Sequence, residues 1–157
     1  MFHYLFNFAM IIKMKTYKFY GNDAPSIKPI DEQFNFVKNQ RHLYDLLSEI
    51  WSKDTCAPRM QKDWTKENMT LGQCSITAFL VQDIFGGSVY GVALKDGNYH
   101  CFNIINGIAF DLTSEQFGET KLDYQNVVPQ KREDHFSKKE KYQRYLLLKS
   151  KLLEKLR

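Results

Sequence analysis

Residues 72–87 of the chain read GQCSITAFLVQDIFGG, and they are the most informative stretch of the sequence. The apolar side chains in this stretch cover most of a helix circumference, which predicts a largely buried α-helix. It ends in Gly86 and Gly87, and glycine readily adopts the left-handed conformation that closes a helix. The sequence therefore predicts a central buried helix that opens at Cys74.

Three β-strands are predicted directly after this helix, at residues 88–94, 99–105 and 108–112. The last two are joined by Asn106-Gly107. Asn-Gly between apolar runs is the strongest short-range signal for a β-hairpin. A buried helix followed by antiparallel strands predicts an α+β fold, in which the helix that bears Cys74 packs on a small antiparallel sheet.

The regions on either side of this core are predicted to carry flanking helices. Apolar residues recur at steps of three and four between residues 31 and 51, and again between 136 and 157. A short strand is expected at 16–20, and loops are expected at 52–72 and 114–134.

The chain of 157 residues has the length of one domain. We predict that residues 1–40 form an irregular lead-in; because Met14 would begin an ordinary chain, the sequence leaves open whether 1–13 are native or a mis-assigned start. Residues 41–157 are then a single domain that closes with a C-terminal helix at 136–157.

Composition excludes several classes of protein. Hydrophobic residues make up 43% of the chain and aromatic residues 15%, which argues against disorder. The net charge of +4 is concentrated near the C-terminus, which is more typical of a solvated helix face than of a nucleic-acid site. The apolar N-terminus is too short to span a bilayer. We therefore expect a protein without nucleic-acid partner or integral membrane association, and its composition leaves the oligomeric state open.

The three cysteines, Cys56, Cys74 and Cys101, show no disulfide or zinc-finger spacing. Reduced thiols in a cytoplasmic protein, with no metal and no cofactor, are the plain interpretation. Cys101 neighbours His100 but is expected to face the opposite side of its strand, so a metal site made of these two residues and Cys74 is geometrically poor.

Cys74 is the first candidate for chemistry. Backbone N–H groups and the helix dipole at a helix start stabilise a thiolate. Gly72 lets the chain turn sharply just before it. The competing interpretation is that Cys74 is a small buried hydrophobic residue, as most cysteines are.

The predicted hairpin adds a histidine and a carboxylate. A two-residue turn places Phe102 opposite Asp111, so His100 and Asp111 share one face of the sheet as diagonal neighbours. Asn103 falls on the other face in this register. A longer turn with a bulge would reverse the parity, so Asn103 stays open as the alternative orienting residue.

A thiol, an imidazole and a carboxylate are what nucleophilic thiol catalysis requires. In this hypothesis Cys74 is the nucleophile, His100 the general base and then acid, and Asp111 the group that orients the imidazole. The oxyanion would need donors, for which the Cys74 N–H and the side chains of Gln73 and Trp64 (or Trp51) are candidates.

The order of these elements resembles the transglutaminase-like branch of the papain-like superfamily. More closely, residues 43–118 resemble the uncharacterised bacterial YunG family, with a weaker similarity at Arg144-Tyr145. The residues that carry this resemblance are Trp51, Thr55, Pro58, Trp64, Gly72-Gln73-Cys74-Ser75-Ile76-Thr77-Ala78, Gln82-Asp83, Gly86-Gly87, His100, Asn103, Gly107, Asp111-Leu112-Thr113 and Gln116-Phe117.

The superfamily resemblance implies a papain-like or transglutaminase-like core and acyl transfer from an amide or ester. The substrate would then be a peptide, a protein or a small amide, and the protein would be a hydrolase or a transferase. The alternative is a binding or structural protein that keeps the fold without turnover, such as a toxin–antitoxin partner or a peptide-binding module. A third hypothesis is that the basic C-terminal helix binds an acidic partner.

Overall fold

The computed structural model describes residues 15–157, so the proposed start at 1–13 lies outside the described residues. Four strands form one antiparallel sheet, and helices lie before, between and after them, which makes the fold α+β. The helices are α1 (Gln40–Ile50), α2 (Cys74–Phe85), α3 (Arg132–Phe136) and α4 (Lys139–Glu154), and the strands are β1 (Ser88–Ala93), β2 (Tyr99–Ile105), β3 (Ile108–Phe110) and β4 (Val127–Pro129). Single 3₁₀ helices occur at Glu32–Phe34, Pro58–Asp63 and Ser114–Phe117.

Helix α2 is buried on nearly every side, as its sequence predicts. It packs against β1 and β2 on one side and against α4 on the other. Its fully buried side chains are Ile76, Phe79, Leu80, Val81 and Ile84. The helix ends at Gly86, whose φ is 84°. Glycine adopts this left-handed conformation without a steric clash.

The sheet has the strand order β3-β2-β1-β4. β2 and β3 form the predicted hairpin, with Asn103 opposite Phe110. Asn106 and Gly107 both have positive φ, 53° and 75°, as a two-residue type I′ turn requires. The register predicted from the Asn-Gly turn is therefore confirmed, and it puts His100 and Asp111 on one face.

The two faces of the sheet have different coverings. Side chains alternate along β2, so Cys101 and Asn103 face α2, where Asn103 Nδ2 donates to the carbonyl of Ala78 at 2.8 Å. Phe102 faces the other way and meets the ring of Tyr124 edge-on, with the ring centroids 5.0 Å apart. The segment after β3 therefore covers the face that carries His100.

Three sequence predictions differ from the structure. No strand forms at 16–20, where Tyr20 makes only an isolated bridge to Asp111. β4 lies inside the region predicted as loop at 114–134 and pairs with β1. It has only three residues, too few to show a strand pattern in the sequence. The helix predicted over 136–157 is α4 and begins only at Lys139, because the chain leaves helical geometry at Lys138; the short α3 precedes it, mostly inside the region predicted as loop.

The lead-in is irregular but packed. Phe19, Ile27, Phe34 and Val37 are buried in the same core as α2. Buried Gln40, the first residue of α1, holds this segment through hydrogen bonds to the backbone of residues 25 and 27. Within residues 15–157 no helix is both long enough and apolar enough to cross a membrane.

Gly72 sets the approach of the chain to α2. Its φ is 71°, and a Cβ at this position would lie 2.5 Å from Cys56 Sγ and 2.9 Å from the Ala57 backbone nitrogen. Gly97, in the turn between β1 and β2, has a similar φ of 86°, but a Cβ there would meet no other atom within 4 Å. The two glycines therefore share the backbone requirement and differ in the space around them.

We predict that Gly72→Ala destabilises the protein more than Gly97→Ala. Each substitution costs about 1–2 kcal/mol for a left-handed backbone, and Gly72→Ala adds about 1–3 kcal/mol of overpacking against Cys56 and Ala57. Urea unfolding of both variants and the wild type measures the difference. Equal losses of unfolding free energy would contradict the tight packing at Gly72.

Candidate functional site

Cys74 lies at the start of α2, and its side chain is partly exposed. The preceding residue, Gln73, is the N-cap but makes no side-chain hydrogen bond to the helix end. Amide groups of the first turn therefore receive no cap from Gln73, and Cys74 lies at the positive end of the helix dipole. This arrangement favours a negative charge on the sulfur.

His100 and Asp111 form a buried pair on the opposite face of the hairpin from α2. His100 Nε2 lies 2.6 Å from Asp111 Oδ2, and each side chain is only 1% exposed. His100 comes from β2, and Asp111 follows the last residue of β3. The contact is the diagonal cross-strand pair that the register of the hairpin creates.

The Asp111 carboxylate is held by several donors besides His100. The Tyr124 hydroxyl donates to Oδ2 at 2.8 Å. The Thr113 backbone N–H and hydroxyl donate to Oδ1 at 3.1 and 3.3 Å. With both oxygens engaged, the carboxylate has a fixed orientation, and so has the imidazole that it binds.

The pair controls the charge of His100. Burial lowers the pKa of His100, but the charge of Asp111 and its hydrogen bond, followed by the interaction with Cys74, outweigh burial and raise the pKa to about 10. His100 is therefore an imidazolium at neutral pH. Because Asp111 occupies Nε2, Nδ1 is the ring nitrogen left to face Cys74.

Cys74 carries the complementary charge. A hydrogen bond from the Cys101 thiol is the largest influence that lowers the pKa of Cys74; burial opposes it, and the hydrogen bond and charge of His100 reinforce it. The net result holds the pKa of the Cys74 thiol well below its usual value. The site thus favours a thiolate on Cys74 beside the imidazolium of His100.

Cys101 contacts the nucleophile candidate directly. Interaction with its thiol is the largest influence that lowers the pKa of Cys74, and Cys74, followed by burial, raises the pKa of Cys101 well above its usual value. Cys101 does face away from His100 along β2, as the sequence indicates. However, Cys74 lies against the β2 backbone and interacts with both neighbours, which the alternation of side chains alone does not reveal.

The structure separates the other candidates from the reacting groups. Asn103, the alternative orienting residue, bonds to α2 rather than to His100. Gln73 Nε2 donates to the Ser52 carbonyl at 3.0 Å, and Trp64 Nε1 donates to the Met69 carbonyl at 2.9 Å. The indole N–H of Trp51 is likewise engaged, with Thr77 Oγ1 at 3.0 Å. Of the oxyanion donors considered from the sequence, the Cys74 N–H is the one whose position at the start of α2 remains suitable.

Lys141 and His135, from the C-terminal helices, lie near the two thiols. Lys141 Nζ is 3.0 Å from His135 Nδ1, and burial is the main cause that lowers the pKa of Lys141, while Cys101 and Cys74 act in the opposite sense. Burial, followed by the charge of Lys141, lowers the pKa of His135 to about 4. His135 is therefore neutral at pH 7, and Lys141 is the cation that adds to the positive surroundings of Cys74.

A cavity of about 800 Å³ opens on the other side of the Asp111 carboxylate. Its wall includes Tyr20 and Tyr124, whose rings stack with centroids 3.9 Å apart. Tyr124 links this cavity to Asp111, but Cys74 does not line it. The cavity therefore lies behind the orienting carboxylate and not over the thiol.

Comparison with known proteins identifies the family of the chain. The family model described as YunG protein matches residues 39–157. The chain belongs to this family. An uncharacterized protein YunG from Bacillus subtilis (strain 168) is 36% identical over 104 residues, which cover 65% of this chain and 84% of that protein. No solved structure matches the chain.

In this YunG family member, sequence reasoning missed two residues of the site. Tyr124 lies in a segment predicted as loop, and nothing near it in the sequence indicates a contact with Asp111. Phe117 places its ring edge-on to His100, with centroids 4.7 Å apart. Within residues 15–157 no group of three or more His, Cys, Asp and Glu side chains is arranged to hold a metal ion.

We predict that Cys74 is alkylated at a lower pH, and faster, than Cys56 or Cys101. The thiolate is the reactive form, so the rate rises as pH passes upward through the low Cys74 pKa and then levels off. His100→Ala removes the imidazolium and moves this rise toward the ordinary thiol pKa of about 8.5. Iodoacetamide labelling against pH, read by peptide mass spectrometry, measures the midpoint for each cysteine. Identical midpoints in both proteins would show that His100 does not control Cys74.

We predict that Asp111→Asn raises the pKa of Cys74, because loss of the carboxylate charge lowers the pKa of His100 and weakens the ion pair. Tyr124→Phe removes one hydrogen bond to Asp111 but keeps its charge, so its effect should be smaller. Asn103→Ala should cost about 1 kcal/mol of stability through the lost bond to Ala78 and leave the midpoint unchanged. The same alkylation profile tests all three, and a larger shift for Asn103→Ala than for Asp111→Asn would make Asn103 the orienting residue.

Proposed function

We propose that the chain is a cysteine-dependent acyl-transfer enzyme, an amide or peptide hydrolase or a transglutaminase-like transferase. The observation that carries this proposal is the line of Cys74, His100 and Asp111, in which a partly exposed thiol faces an imidazolium fixed by a buried carboxylate. A purely structural role explains a buried His–Asp pair but gives no reason for a thiolate at its open end.

The order of the elements supports a papain-like or transglutaminase-like arrangement within this proposal. The cysteine opens a buried helix, the histidine follows on a strand, and the aspartate comes at the end of the next strand. In the proposed core, α2 delivers the nucleophile, and the β2–β3 hairpin delivers the base and its orienting group.

The first half of the reaction is acylation. The Cys74 thiolate attacks the carbonyl carbon of an amide or ester, and the oxygen becomes an oxyanion. The Cys74 N–H, at the positive end of α2, is positioned to donate to that oxygen. His100 then gives its proton to the leaving amine or alcohol, and the C–N or C–O bond breaks to leave a thioester on Cys74.

The second half returns the enzyme to its starting state. Neutral His100 takes a proton from water or from an acceptor amine as that nucleophile attacks the thioester. The tetrahedral intermediate collapses, the Cys74 thiolate leaves, and an acid or a new amide is released. The Asp111 carboxylate stabilises each imidazolium that forms.

We predict that an activated ester such as p-nitrophenyl acetate acylates Cys74. Its good leaving group makes the test independent of the natural substrate. Cys74→Ala should show no acylated species, and His100→Ala should acylate about 10²–10⁴-fold more slowly at pH 7, the range expected for loss of an acid–base group. Intact mass spectrometry detects the acyl group, and peptide mapping locates it.

Cys56→Ala is the matched control, because Cys56 is buried and no member of the triad is among the groups that influence its pKa. Its acylation should match that of the wild type. Added methylamine separates the two classes of enzyme, since a transferase yields the methylamide while a hydrolase yields the acid. Acylation that is absent, or equally fast in His100→Ala, would favour the non-catalytic binding or structural protein.

A further inference from the structure

The proximity of Cys74 and Cys101 is not needed for acyl transfer, and it suits a different reaction. Acyl transfer needs one thiolate, and an oxygen or nitrogen donor would stabilise it as well as a second thiol does. Here two cysteines that are distant in the sequence come together, one at the start of α2 and one in the middle of the sheet on β2, and Cys74 packs against the core to which Cys101 belongs.

We propose that Cys74 and Cys101 are a peroxide-sensitive dithiol that closes to an intramolecular disulfide. Asn103, two residues beyond Cys101 on β2, donates to the carbonyl of Ala78, one helical turn beyond Cys74 on α2, so the two cysteines lie side by side where the helix packs on the strand. The bond then requires the sulfurs to approach to about 2 Å, the length of a disulfide. α2 packs directly on β2, so the two backbones are already adjacent.

Exposure gives the two cysteines different roles. Cys74 is partly exposed and is the one a hydroperoxide reaches, whereas Cys101 is 2% exposed and is protected from direct attack. Oxidants react with the thiolate form, and that form is held on Cys74 by His100 and Cys101. Cys74 is therefore the attacking sulfur and Cys101 the resolving one.

The oxidation balances with a hydroperoxide as the oxidant. The Cys74 thiolate attacks one peroxide oxygen, the O–O bond breaks, and His100 supplies the proton that turns the leaving hydroxide into water. This leaves a sulfenic acid on Cys74. The Cys101 sulfur then attacks Cys74, the S–O bond breaks, and the released hydroxide takes the proton of the Cys101 thiol to form a second water. Two thiols are oxidised by two electrons, and one peroxide is reduced to two waters.

Cys56 is the matched thiol that should not take part. It is buried like Cys101, and burial raises the pKa of its thiol. Its sulfur lies beside Ala57 and Gly72, in the turn that leads to α2, and Cys74 is not among the groups that influence it. A disulfide that forms by contact should therefore join Cys74 to Cys101 and leave Cys56 free.

The effect on activity rests on the function proposed above. A disulfide removes the nucleophile, and a dithiol reductant restores it, so acyl transfer would be switched off by peroxide and recovered on reduction. The formation of the disulfide itself does not depend on acyl transfer. A chain that forms the bond but shows no acylation would overturn the proposed function and leave the dithiol intact.

The test treats the folded full-length chain with hydrogen peroxide at neutral pH, blocks remaining thiols by alkylation, and maps the peptides without reduction. The wild type and Cys56→Ser should lose two hydrogen atoms in mass, show one Cys74–Cys101 crosslink, and regain both thiols with dithiothreitol. Cys101→Ser should instead give a dimedone-reactive sulfenic acid on Cys74 that advances to irreversible sulfinic acid.

Three results would overturn the proposal. In the first, wild-type Cys74 is oxidised directly to sulfinic acid while Cys101 stays a free thiol. In the second, Cys74 forms a disulfide with Cys56 or with another chain. In the third, all three thiols survive the treatment. Each is read from the wild type alone, so the test stands even where Cys101→Ser fails to fold. Cys101→Ala provides a second variant without a hydroxyl in that case.

Discussion

The buried hydrogen bond between His100 and Asp111 is the interaction on which the rest of the site depends. Two ionised groups at 1% exposure are tolerated only as a pair, because an isolated buried charge costs several kcal/mol or more. Tyr124 and Thr113 complete the carboxylate's hydrogen bonds, so both of its oxygens have donors. The segment after β3 is thereby fixed to the sheet by the same charge that sets the state of His100.

A two-residue turn determines whether that pair exists. Side chains alternate along a strand, so a slip of one residue in the β2–β3 register would send Asp111 to the face occupied by Asn103. Asn106 and Gly107 adopt the positive φ values that hold the register. The chemistry of the site therefore follows from a local backbone preference at a position that touches none of the reacting groups.

The parts of the molecule that could be predicted are those with local causes. Buried α2 follows from its apolar run, and the pairing of His100 with Asp111 follows from the Asn-Gly turn. The parts that could not be predicted are contacts between segments with no shared local pattern. Tyr124 reaches Asp111 from an irregular stretch, β4 has only three residues, and the approach of Cys101 to Cys74 depends on how α2 lies across β2. None of these leaves a periodicity in the sequence.

The distribution of exposure constrains how the proposed chemistry would proceed. Of the groups that hold the charge, only Cys74 is partly open, while His100, Asp111 and Cys101 are buried. An acceptor must therefore reach the thioester from the exposed side of Cys74 and contact the inner imidazole through Nδ1. Because His100 itself is buried, the choice between hydrolysis and transfer depends on which small nucleophile fits between the thioester and that nitrogen. Selection of the acceptor would then be a property of the few atoms around Cys74, and the cavity behind Asp111 would play no direct part in it.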